Sequence, residues 1–163
     1  MSLKITEEER NAYQTIVRCC IHPNLQPQLN DFFDQLLDYS QDKNYFSTFN
    51  YVIEYFQKNQ FHCLRFFDWK QDVQDLESFI KTALKTHFET TISLPNAEKY
   101  GEDASISADH VFEDYDDSLR SFGLQLGFID TESDEYIIMI HKTTDIDEIE
   151  QAVNSIGFDY FEV

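Results

Sequence analysis

The stretch Phe122-Gly123-Leu124-Gln125-Leu126-Gly127-Phe128-Ile129-Asp130-Thr131-Glu132-Ser133-Asp134-Glu135-Tyr136-Ile137-Ile138-Met139-Ile140-His141 decides the fold. Leu124, Leu126 and Phe128 alternate with Gln125 and Gly127, the period-two pattern of a strand. Tyr136 to His141 is apolar at most positions, which suits a strand in the interior of a sheet. The polar run Asp130 to Glu135 between them reads as a short hairpin loop. Downstream, Asp145-Ile146-Asp147-Glu148 reads as a capping box, and Ile149, Val153 and Ile156 follow on one helical face. Gly157 then ends that helix as a left-handed cap, and Phe158 to Val163 can form a closing strand.

Upstream the chain is mainly helical. Thr6-Glu7-Glu8-Glu9 matches a capping box, and its carboxylates suit the positive end of a helix. Tyr13, Ile16, Val17 and Cys20 recur at helical spacing until His22-Pro23 stops the run. Leu29, Phe32, Phe33, Leu36 and Leu37 mark a second helix, with Pro27 in its first turn. Phe46, Phe49, Val52, Ile53 and Phe56 mark a third, and Val73, Leu76, Ile80, Ala83, Leu84 and Phe88 a fourth. Phe61 to Phe67 reads as a strand, and residues 90–94 as a short one stopped by Pro95. Val111, Phe112, Tyr115 and Leu119 suggest a fifth helix, capped by Ser105 or Ser107. The expected fold class is α+β: one domain over residues 1–163, with an N-terminal helical layer packed on a small antiparallel sheet of three to five strands.

Charge narrows the function. The net charge is -19, and residues 101–163 carry seventeen Asp and Glu against only Arg120 and Lys142. Such a field repels phosphate backbones and anionic membranes, so neither nucleic acid nor membrane is an expected partner. It attracts cations and basic proteins, although acidity also serves solubility. Met1-Ser2-Leu3-Lys4-Ile5 lacks the basic and then apolar pattern of a signal peptide. Cys19, Cys20 and Cys63 form neither a disulfide framework nor a zinc pattern and read as buried thiols in a reducing compartment, hence the cytoplasm.

Few residues form a pattern with chemistry attached. Asp130, Glu132 and Asp134 alternate in the hairpin loop, where carboxylates could converge on a hard cation. An EF-hand loop from Asp130 would need Gly and Glu where this chain has Glu135 and His141. The alternative is a solvated turn whose Asp and Ser bond their own backbone. His110 and Glu113 sit one helical turn apart and could supply two metal ligands, or simply a polar helix face. Trp69, the single Trp, reads as a cap on the core or as a binding anchor. No Gly-x-Ser-x-Gly, phosphate-binding glycine loop or dinucleotide fingerprint is present, so no enzyme is expected and no cofactor is called for.

The hairpin Asp130-Thr131-Glu132-Ser133-Asp134-Glu135-Tyr136, its flanking strands and the helix ending at Gly157 resemble the C-terminal part of an uncharacterised bacterial family with an Asp-Thr-x-Ser-Asp-x-Tyr hairpin. Phe67-Asp68-Trp69-Lys70 resembles a stretch in the same proteins. In style the chain is also similar to polymorphic-toxin immunity proteins, which are small and acidic. The resemblance implies that Asp130, Ser133, Asp134 and Tyr136 matter as a unit, and it carries no activity. Three expectations follow. The first is a non-enzymatic acidic protein that binds a basic partner protein, as an immunity-like inhibitor does, with Asp130, Glu132, Ser133, Asp134, Tyr136 and Trp69 as binding candidates. The second is a divalent-metal enzyme or sensor using Asp130, Glu132, Asp134, His110 and Glu113. The third is a homo-oligomeric module pairing through a strand edge.

Overall fold

The computed structural model describes residues 3–45 and 47–163. Among the described residues four strands, Arg65–Asp68 (β1), Leu124–Asp130 (β2), Glu135–Lys142 (β3) and Asp159–Glu162 (β4), form one antiparallel sheet in the order β1-β3-β2-β4. The hairpin occupies the two central positions, with Leu124 opposite Lys142 and Ile129 opposite Ile137. Every residue of β2 from Leu124 to Ile129 is buried, as is every residue from Ile137 to His141 in β3. Burial on both faces requires a covering layer on each side of the sheet.

Six helices supply those layers among the described residues: Glu7–Cys20 (α1), Gln26–Gln35 (α2), Thr48–Lys58 (α3), Val73–His87 (α4), Val111–Arg120 (α5) and Ile146–Ser155 (α6). On one face α1, α2, α3 and α6 enclose Ile129, Ile137 and Met139. On the other, α4 and α5 enclose Phe67, Leu124, Leu126, Phe128, Ile138 and Ile140. The fold is α+β as the sequence indicates, with a second helical layer added to the N-terminal one. Gln125 and Gly127, which alternate with the leucines, therefore lie on the other covered face, against Tyr160 and His141 rather than water.

Local chemistry explains most helix ends. Thr6 Oγ1 accepts the Glu9 N–H at 3.1 Å, and three glutamates fill the first turn of α1. Gly157, at φ +90°, turns the chain out of α6, and the Phe158 N–H returns to the Val153 carbonyl. The three cysteines are buried free thiols.

Five local expectations change. The first strand begins at Arg65, because the His62 N–H is bonded to the His87 ring and not to a ladder. Residues 90–94 pair with no strand; Ile92 and Leu94 pack into the α4–α5 core, and the Pro95 carbonyl accepts the Tyr115 hydroxyl at 3.0 Å. Ser105 and Ser107 bond each other instead of capping α5, whose N-cap is His110 in left-handed backbone at φ +68°. Asp145 makes no side-chain cap: a 3-10 turn, Thr143–Asp145, runs straight into α6, and its backbone lacks the extended form a cap needs. Leu36 and Leu37 lie past the end of α2, and Leu37 bridges to Lys4. Phe46, read as the start of the third helix, lies outside the described residues. No described helix is long and apolar enough to cross a membrane.

Candidate functional site

The sheet ends in a row of acids. β1 finishes on Asp68 and β3 starts on Glu135, directly opposite each other. β2 finishes on Asp130 and β4 starts on Asp159, again directly opposite. All four strand ends lie at the hairpin end of the sheet, roughly 14 Å across at the usual strand spacing of about 4.8 Å, with Asp68 and Glu135 on the α1–α6 face and Asp130 and Asp159 on the α4–α5 face. Like charges opposed across strands destabilise a sheet. Among the described residues none of the four carboxylates joins an ion pair that would offset this.

The hairpin turn is held by its own side chains. Asp130 Oδ1 accepts the Glu132 N–H at 2.8 Å, Ser133 Oγ accepts the Glu135 N–H at 3.3 Å, and Thr131 donates to Ser133 at 3.1 Å. Asp68 Oδ1 likewise accepts the Lys70 N–H at 2.8 Å. Glu132 takes the left-handed conformation at φ +62°. The side chains of Asp130 and Ser133 thus build the turn, while those of Glu132, Asp134 and Glu135 are exposed. Trp69 follows Asp68 at the same end, 47% exposed, with Lys70 Nζ 5.0 Å from the ring centroid. It is an exposed aromatic beside the acids, not a core cap.

The remaining candidates divide. Tyr136 stacks edge-on with Phe112 and is half-buried in the α4–α5 layer. It shares a concavity of about 390 Å³ with His110 and Glu113. Among the described residues no three His, Cys, Asp or Glu side chains are placed to hold a metal ion. The hairpin carboxylates and His110 with Glu113 thus form no common ligand set, because the turn bonds Asp130 inward and His110 belongs to a different loop.

A second polar group runs from the α1–α6 face of the sheet around its β4 edge to α5. His141 Nδ1 is 2.7 Å from the Lys142 carbonyl, which can only accept, so Nδ1 carries the proton. Nε2 then accepts the Tyr160 hydroxyl at 2.5 Å. Gln125 donates to Glu162 at 2.8 Å, and Arg120 bridges Glu162 and Asp116. Asp116 Oδ1 accepts the Leu126 N–H at 2.9 Å, beyond the last residue of β4. Burial pushes the Tyr160 hydroxyl up and the His141 imidazole down, while the Gln125 hydrogen bond holds the Glu162 carboxyl low. Every member is paired, so the group fastens β4 to the sheet.

Sequence reasoning missed Asp68 and Asp159, because only strand register sets them beside Glu135 and Asp130. Acidity is also less confined than the sequence suggests: Glu7 and Glu8 of α1 meet Glu148 of α6 along a groove of about 710 Å³. A family model described as a domain of unknown function, DUF6630, matches residues 2–163. No curated protein and no solved structure matches the chain.

Proposed function

The chain belongs to the DUF6630 family, and on that premise we propose that it is a cytoplasmic, non-enzymatic acidic binding protein that takes a basic partner protein on the hairpin end of its sheet. An inhibitor of the immunity-protein kind is the specific form of this reading. The observation that carries it is the pair of like-charged cross-strand contacts, Asp68 with Glu135 and Asp130 with Asp159. They oppose folding by a few tenths of a kcal/mol to about 1 kcal/mol each, which a cationic partner would reverse. Half-exposed Trp69 adds an aromatic anchor of the kind that dominates interfaces. Three buried free thiols suit a reducing compartment.

The test is a titration with a Lys- and Arg-rich peptide, followed by Trp69 fluorescence at low and high salt. Binding weakens at least about tenfold as salt rises, because exposed charges are screened. A variant carrying D68N, D130N, E135Q and D159N loses binding. Equal binding by parent and variant would remove this surface from consideration.

A further inference from the structure

The sheet treats its unpaired backbone groups unequally. At the Asp68 end of β1, the outer N–H is taken by Gln71 Oε1 at 3.2 Å and the carbonyl by the Gln71 N–H at 2.9 Å. On β2, the Leu126 N–H that β4 does not reach is taken by Asp116. That bond also fixes the ladder. Leu126 directs its backbone groups toward β4, so Phe128 and Asp130 do the same and bond Phe161 and Asp159. Tyr160 and Glu162 therefore direct their N–H and C=O groups away from the sheet. Among the described residues no hydrogen bond reaches those groups. An exposed edge invites another strand, and here Asp68 and Leu126 are closed by neighbouring groups, while Tyr160 and Glu162 on β4, like Phe66 on β1, are open.

The side chains along the edge indicate what fits. One face shows Tyr160 and Glu162, the other Asp159 and Phe161. Phe161 and Val163 are each 44% exposed, and Phe122, 61% exposed, lies two residues past Arg120, whose guanidinium holds Glu162. The Asp159–Phe161 face thus presents an aromatic and a carboxylate, while on the other face Tyr160 is turned in to His141 and Glu162 is held by Arg120 and Gln125. We propose that β4 is a docking edge on which an extended basic segment of a partner protein adds as a further strand, its Lys or Arg side chains meeting Asp159 and Glu162 and its apolar ones meeting Phe161. A second copy of this chain is the wrong occupant, since it brings the same two carboxylates and a further net charge of -19. The inference rests on the acidic-binding reading and adds the mode: backbone pairing supplies affinity, and alternate side chains supply choice.

The experiment uses the whole chain and a capped peptide, Ser-Lys-Val-Phe-Lys-Val-Ser, with a copy carrying Glu for Lys and a copy N-methylated at alternate amides. Amide hydrogen exchange is read by NMR. The expected result is slowing by about tenfold or more at Tyr160 and Glu162, absent with either control peptide. D159K, which removes one like-charge contact and should fold, weakens binding of the basic peptide by about tenfold or more. Binding without protection at those two amides overturns the docking edge and leaves the acidic reading standing. No binding of any basic peptide at low salt overturns both. Protection of Tyr160 and Glu162 in the free protein, with a dimer in light scattering, assigns the edge to a second copy and overturns the basic-segment proposal.

Discussion

Acid should destabilise this protein through His87, the last residue of α4. The ring is 4% exposed, and backbone donors face both of its nitrogens: the His22 N–H at 3.3 Å from Nδ1 and the His62 N–H at 3.1 Å from Nε2. A neutral imidazole has one lone pair to offer them; an imidazolium has none and turns an N–H toward each. Burial, then the charges of His62 and His22, lowers the His87 pKa from 6.5 to about 4. Glu89 reaches the cluster through His22 Nε2, at 3.0 Å, and Arg65 acts on His62. The folded state therefore prefers the neutral ring. Above pH 6.5 both states are neutral and the contribution is constant. Between pH 6.5 and 4 the unfolded chain takes up a proton that the folded chain refuses, and stability falls by about 1.4 kcal/mol per pH unit. The loss is about 2 kcal/mol at pH 5 and about 3 kcal/mol at pH 4, out of a typical total of roughly 5–15 kcal/mol. Urea unfolding followed by circular dichroism at pH 7.5, 6, 5 and 4.5 measures it, with H87Q as reference. Protonation of exposed carboxylates relieves repulsion equally in both proteins, so the difference between them isolates the ring. Parallel stability profiles for the parent and H87Q would refute the reasoning, as would an NMR titration placing His87 near 6.5.

Three further outcomes follow from the packing. G127A should lose about 1–3 kcal/mol, because a Cβ there would stand 2.7 Å from the Tyr160 ring and 3.0 Å from His141 Nε2; calorimetry reads the loss, and slower-to-faster exchange in β4 locates it. D116A should lose at least about 1–3 kcal/mol, since it strands the buried Leu126 N–H and one partner of Arg120; urea midpoints at constant slope check it. D159N should gain a few tenths of a kcal/mol to about 1 kcal/mol at low salt, by removing a like charge from opposite Asp130, and thermal melts should show the gain fading as salt is added.

Much of the architecture was legible because its signals are local. Apolar spacing gives the helices, Thr6 and Gly157 mark their ends, and the hairpin follows from alternation around a polar turn. The failures share one cause, which is that backbone groups found non-local partners. His62 bonds His87 and leaves the strand to start late. The segment at 90–94 is fixed by Tyr115 and by core packing instead of a ladder. Gln125 and Gly127 look solvent-facing in a two-layer reading. They are buried because that face is covered too, with Tyr160 over Gly127, and because Glu162 and Tyr160 satisfy the amide.

The candidate site divides in the same way. The sequence by itself determined the fold class, the central hairpin, the turn chemistry of Asp130 and Ser133 and the excess of acid, since each depends on neighbours within a few positions. Only the tertiary structure decided that Asp68 and Asp159 join the hairpin acids, that Trp69 stands exposed beside them, and that β4 keeps an open edge. Those facts depend on strand order and register, which are set by how two helical layers bury the two faces of the sheet, and no stretch of a few residues carries that information.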